Sequence, residues 1–344
     1  MNFASDNAYG ALPQVIEALA RVNQGAAAGY GGDAVTQGLT AQFGALFARD
    51  VAVYPALTGT AANALALATL TPPHGAILCH AQSHIAENEC GAPEFYAHGA
   101  KLLGLPGDDG KLTVEAITTA LDAIPRDFVH THQPACVSLS QPTELGTLYS
   151  VAEIAAIGSL CRDRGLKLHM DGARFGNAVA ACNATPAQMT WQAGVDVLSF
   201  GASKGGTLGA EAVVFFHPSD TRDFEYRRKK GGHLMSKMRF VSAQLEAYIQ
   251  DGLWLEACAR ANTLAAQLAD GLRAIDSIRI DVPVQTNMVF ADMPVAMSQR
   301  LRQAGAVFYD WKPPANGRVL TRLATSFATP QDDVARFLEI ATSA

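Results

Sequence analysis

The chain is predicted to be an α/β protein, a mostly parallel sheet sandwiched by helices and followed by a small C-terminal α+β domain. Two observations carry this prediction. Short apolar runs alternate with helical stretches as far as residue 216, the pattern of βαβ units covered on both faces. From about residue 250, long helical stretches give way to strand-like pieces, which marks a second unit. With 344 residues, 49% of them hydrophobic and 17% charged, both cores can be filled. The expected boundaries are an arm at 1–15, a large domain at 16–245 and a small domain at 246–344.

Taken in order, residues 1–10 are short and polar, and Val15, Ile16, Leu19 and Val22 have helical spacing after Pro13. Ala28-Gly29-Tyr30-Gly31-Gly32-Asp33 breaks regular structure and reads as a loop. Thr36 to Phe47 is a helix and Val51 to Tyr54 a strand, leading to Thr58-Gly59-Thr60 at the start of a strong helix. A helix start carries unpaired N–H groups and partial positive charge, and glycine lets an anion approach, so this is a candidate phosphate cradle. An ordinary cap by Thr58 or Thr60 fits the same residues. Ala76 to Cys79 is a strand, followed by a polar string containing His80, His84, Glu87 and Glu89. In an open α/β sheet, the loop after a strand's carboxyl end faces the ligand crevice, which singles out His84.

Ala100 to Leu105 and Thr113 to Ala123 continue as strand and helix, and Ala135 to Ser140 is the next strand, with the polar loop Gln141-Pro142-Thr143-Glu144 after it. Helix Val151 to Arg164 leads to strand Leu166 to Met170, which ends in Asp171-Gly172-Ala173-Arg174. An acid and an arginine leave that strand together, either as a structural ion pair or as ligand contacts. Val195 to Phe200 ends abruptly in Gly201-Ala202-Ser203-Lys204-Gly205-Gly206. A lysine in such a turn sits at the mouth of the sheet, where lost solvation lowers its proton affinity and frees an amine to condense with an aldehyde. Taken alone, the stretch also fits a surface lysine. Glu211 to Phe216 is the neighbouring strand, and the basic run 227–230 reads as a solvated face with room for an anion beside Gly231 and Gly232. Helices at Ser236 to Asp251 and Leu255 to Leu272 precede strands at Ile278 to Val282, Asn287 to Phe290, Val307 to Asp310 and Val319 to Ala324.

The net charge of −6 argues against nucleic acid and acidic membranes as partners. No signal-peptide pattern or apolar span is read, so a soluble cytoplasmic protein is expected. Six scattered cysteines without a C-x-x-C pair read as reduced core thiols. His80, His84, Glu87 and Glu89 have no second His/Cys cluster to complete a metal site, so no metal is expected. No G-x-G-x-x-G follows the first strand, which sets a nucleotide-dependent dehydrogenase aside.

A phosphate cradle, an imidazole loop, an acid with an arginine, and a glycine-flanked lysine together suit pyridoxal 5′-phosphate. The strings Phe3-Ala4-Ser5-Asp6-Asn7, Tyr30-Gly31-Gly32-Asp33, Thr58-Gly59-Thr60-Ala61-Ala62-Asn63, Glu89-Cys90-Gly91-Ala92-Pro93-Glu94, His169-Met170-Asp171-Gly172-Ala173-Arg174-Phe175, Ser203-Lys204-Gly205 and Ser236-Lys237-Met238-Arg239-Phe240 run over nearly the whole chain. With His84, this set resembles the threonine aldolases, a family within the fold type I pyridoxal-phosphate enzymes. The resemblance implies a seven-stranded sheet, and roles residue by residue. Lys204 would bind the cofactor covalently, Asp171 would face its ring nitrogen, Gly59 and Thr60 would hold its phosphate, and His84 would stack on the ring near the substrate's β-hydroxyl and act as base. Arg174 would contact cofactor or substrate, while Ser5 and Arg322 would grip the α-carboxylate.

The implied reaction is retro-aldol cleavage of L-threonine, L-allo-threonine and other β-hydroxy-α-amino acids to glycine and an aldehyde, by a homotetramer. Many threonine aldolases carry a histidine where Glu144 stands here, and this leaves the preference at Cβ open. The variant loop and Ser236 to Phe240 look closer to the low-specificity bacterial and phenylserine aldolase branch. β-Elimination and transamination use the same lysine and aspartate and remain alternatives, as does a non-catalytic relative.

Overall fold

A computed structural model describes residues 1–221 and 223–343. Seven strands form the large sheet: β1 Ala52–Ala56, β2 Gly75–His80, β3 Lys101–Leu105, β4 Gln133–Ser140, β5 Lys167–Gly172, β6 Val197–Gly201 and β7 Glu211–Phe215. Their order is β1-β7-β6-β5-β4-β2-β3. The run from β6 to β3 is parallel, and β7 lies antiparallel to both β6 and β1. The β6 to β7 link is shorter than the roughly dozen residues that a parallel crossover needs, so the chain can only turn back.

Strands β2, β6 and β7 are buried throughout, as a sheet covered on both faces requires. On one face lies helix Gly59–Leu70, whose Ala62, Leu65 and Ala66 pack on Val197, Val213 and Phe215. Its small alanines let the helix lie close against the strands. On the other face, helices Pro13–Val22, Ala34–Phe47, Val151–Arg164 and Arg239–Ile249 bury a common core with Val137, Leu168, Leu198 and Phe200. Phe43 meets Phe200 edge to face at 5.2 Å.

The C-terminal part has an antiparallel sheet of order β8-β10-β9, with β8 Met288–Pro294, β9 Tyr309–Asp310 and β10 Arg318–Ala324. Helices Leu253–Arg273, Val295–Gln303 and Gln331–Thr342 accompany it. The N-terminal arm is tied here. Phe3 enters this core against Phe337 at 5.2 Å, its N–H donates to Val307 O, and its carbonyl accepts from Ala324 N.

Several sequence expectations shift. Ile278 to Val282 is not a strand: a single bridge joins Arg279 to Asp292. Val307 pairs with Asn2, leaving a strand only at Tyr309–Asp310. The helix expected from Ser236 starts at Arg239 and ends at Ile249, because Asp251 and Gly252 take positive φ and redirect the chain. The basic run closes helix Phe224–Lys230, and it is not wholly a solvated face: Arg228 is buried over the Tyr54 ring.

Candidate active site

The site is built where adjacent parallel strands end together. Strands β4, β5 and β6 are neighbours, so their carboxyl ends and the loops that follow form one edge. Lys204 follows β6, Asp171 ends β5, and Glu144 follows β4. A cavity of about 310 Å³ at this edge is lined by Gly59, Thr60, Asn63, His84, Asp171 and Lys204, among others. Five of the sequence-predicted site residues thus meet in one space.

The cradle is the start of helix Gly59–Leu70. Thr58 caps it, its hydroxyl accepting from Ala61 N at 3.2 Å, which leaves the N–H groups of Gly59 and Thr60 without helical partners. A Cβ built on Gly59 would meet nothing within 4 Å, so this opening belongs to the cavity. One turn on, Asn63 Nδ2 donates to both Asp171 Oδ2 and Glu89 Oε1, each at 2.9 Å. The other Asp171 oxygen accepts from Ala173 N at 3.0 Å. Two directional bonds therefore orient the carboxylate.

His84 begins the short helix His84–Glu87 after β2. Its N–H donates to Glu144 Oε1 at 2.8 Å, and Nδ1 lies 2.9 Å from Glu89 Oε1. The hydrogen bond to Glu89 raises the His84 pKa, against a smaller opposing effect of burial. Glu144 also accepts from Ser140 Oγ at 2.9 Å, and burial pushes its carboxyl up. Glu144 thus grips the backbone that carries His84. Beneath Asp171, buried His169 lies 2.9 Å from both Ser138 Oγ and Ser199 Oγ, and burial lowers its pKa to about 4, keeping this layer uncharged.

At Lys204, burial lowers the proton affinity, and the Arg174 guanidinium lowers it further. Tyr248 backs the turn: a Cβ on Gly205 would stand 1.8 Å from its hydroxyl, so glycine is required there. Arg174 does not line the cavity. Its Nε and Nη2 donate to Asp6 at 2.6 and 3.1 Å, and Asn287 Nδ2 adds a third bond to the same carboxylate at 3.0 Å. Arg322, Ser5 and Glu144 also lie outside the cavity lining. Arg322 Nη2 donates to Ala4 O at 3.0 Å, the residue before Ser5, and its guanidinium stacks near Tyr309 and Trp311. Its buried Nε has no partner among the described residues. Ser5 Oγ accepts from Asn7 N at 3.1 Å.

Sequence reasoning passed over Asn63, Asp6 and Glu211 as site residues. A lone amide in an otherwise Ala/Leu helix was the available signal for Asn63, and an acid opening an apolar strand was the signal for Glu211. No local pattern marked Asp6.

The donor set fits pyridoxal 5′-phosphate: free N–H groups and an open glycine for phosphate, an oriented carboxylate for the ring nitrogen, and a lysine of lowered proton affinity. The beta-eliminating lyase family model matches residues 2–294. The low specificity L-threonine aldolase of Pseudomonas sp. (strain NCIMB 10558) is 41% identical over 89% of this chain and 88% of its own length. The threonine aldolase of Leishmania major has a structure with a TM-score of 0.94 and 31% identity, covering 99% of this chain and 98% of that one. A Sphingomonas wittichii serine palmitoyltransferase has a TM-score of 0.76 at 16% identity, over 100% of this chain and 86% of its own; it shares the fold. Matched over most of its length by both the family model and the aldolase sequences, the chain belongs to the beta-eliminating lyase family, in its threonine aldolase branch.

Proposed function

We propose that this chain is a pyridoxal-phosphate-dependent aldehyde-lyase that cleaves L-threonine, L-allo-threonine and related β-hydroxy-α-amino acids, phenylserine among them, to glycine and an aldehyde. The observation that carries the reading is the single cavity in which Lys204, Asp171 and His84 meet. When bound, the cofactor supplies an electron sink conjugated to the substrate's Cα. Gly59 and Thr60 N–H groups hold its phosphate. Asp171, fixed by Asn63, holds a proton at the ring nitrogen, and Lys204 Nζ is the amine that anchors the aldehyde carbon.

His84 removes the β-hydroxyl proton as the Cα–Cβ bond opens. With Nδ1 committed to Glu89, Nε2 is the ring nitrogen left to accept it. Arg322 and Ser5 bind the α-carboxylate from the arm and β10. Arg174, paired with Asp6, acts on the site chiefly through its charge beside Lys204. Glu144 shapes the Cβ side through the His84 backbone. No helix among the described residues is long and apolar enough to cross a membrane, which is compatible with the proposed cytoplasmic homotetramer.

The deciding experiment follows aldehyde release and glycine formation from L-threonine, L-allo-threonine and phenylserine by the purified holoenzyme. Stoichiometric aldehyde and glycine are expected. Release of ammonia and a 2-oxo acid instead would assign the site to elimination.

A further inference from the structure

Glu211 is a buried carboxyl that the reaction as described does not use. It opens β7 opposite Gly201 of β6 and Ala56 of β1. Alternate residues of a strand share a face, so Glu211 lies on the side of Val213 and Phe215, the side packed by helix Gly59–Leu70. It lines the same cavity as Lys204, Asp171 and His84. Its Oε2 accepts from Ala202 N at 2.8 Å, which pins the first residue of the turn that carries Lys204.

We infer that Glu211 is a positioning residue for Lys204: it fixes the β6 turn through Ala202 and sets the charge of the lysine amine by sharing a proton with it. This rests on the assignment of Lys204 as the cofactor-binding amine. One proton between the two groups gives either ammonium with carboxylate, or amine with carboxylic acid. Only the second pair contains the nucleophile that attacks a carbonyl. In water the charged pair wins by a wide margin. Here burial raises the Glu211 pKa to about 7, while burial and then Arg174 lower that of Lys204, so the two forms approach each other. The other charged groups bearing on the pair are Asp171 from β5, and Asp6 and Arg174 beside the lysine.

Glu211→Gln keeps an acceptor for Ala202 N and removes the titrating proton. In the wild-type holoenzyme, the pH titration of the cofactor's visible absorbance is expected to show an inflection near the Glu211 value of about 7. In the variant that inflection should vanish, and the remaining midpoint should fall by about one pH unit, because a carboxylate favouring the cation is gone. In the full chain freed of cofactor, the midpoint for acylation of Lys204, read by peptide mass spectrometry, should move the same way.

Midpoints that coincide in variant and wild type overturn the inference, whatever the products of the enzyme. If the variant does not fold, a wild-type titration lacking the inflection near neutrality overturns it equally. A chain that shows the shift yet releases no aldehyde overturns the proposed reaction and leaves the role of Glu211 standing.

Discussion

Glu89, fully buried, holds Nδ1 of half-exposed His84 at 2.9 Å, and the same oxygen of Glu89 accepts from Asn63. Through Asn63 this pair is joined to Asp171, so the proposed base and the cofactor-facing acid belong to one hydrogen-bonded unit. Such a unit orients its members without any of them touching directly.

The pH dependence of turnover should report this pair. A general base acts in its neutral form, so activity should climb as pH rises through the raised His84 value. Glu89→Gln removes the largest cause of that rise. The acid limb of kcat/KM should then move down by about one unit. His84→Asn should lower kcat by about 10²- to 10⁴-fold while the cofactor absorbance is retained. An acid limb that stays in place in Glu89→Gln, or turnover undiminished in His84→Asn, would assign the base elsewhere.

The ion pair of Asp6 and Arg174 fastens the N-terminal arm over the site. Breaking a buried pair from one side leaves a charge uncompensated, so Asp6→Asn should cost about 3–5 kcal/mol in urea unfolding. Burial opposes ionisation of Asp6, but Arg174 and Lys204 prevail and hold its pKa below the ordinary carboxylate value. Its contribution is therefore present above that ordinary value and lost as pH falls through the depressed one. Wild-type stability should fall more steeply in acid than that of the variant, and parallel curves would refute the linkage.

Arg322→Ala should raise KM for the amino acid by roughly 10- to 100-fold, the worth of one charge-assisted hydrogen bond. The cofactor spectrum should be unchanged, since Arg322 lies outside the cavity lining. Steady-state kinetics with an absorbance scan separate the two effects. A KM equal to that of the wild type would move carboxylate recognition to another group.

Gly205→Ala should push the Lys204 turn off Tyr248 and destabilise the fold by about 1–3 kcal/mol. Calorimetry should show a lowered Tm. An unchanged Tm would mean that Tyr248 yields without cost.

The strand ends and the lysine turn were readable from local chemistry. An apolar run ending in Gly201 to Gly206 marks a strand and its stop, and Thr58-Gly59 marks a helix start, because turn and capping preferences act over a few residues. The same logic misled at Ile278 to Val282, where apolar alternation is present but only Asp292 offers a pairing partner. It also misled at 227–230, where Arg228 is drawn into the interior by the Tyr54 ring.

From the chain alone came the elements, the α/β class, and the identity of Lys204, Asp171, His84 and the Gly59 cradle. Each rests on periodicity, on turn chemistry or on a family motif, all of them written in contiguous residues. Folding decided which of these residues meet and with what proton affinity. Asp6 and Arg174 are 168 residues apart in sequence, and Asn63 and Asp171 are 108 apart. Sheet order brings β4, β5, β6 and β7 side by side, and burial then sets the charge of Glu211, Glu144 and Lys204. A carboxyl's solvation depends on what surrounds it in space, and no stretch of sequence around Glu211 contains that information.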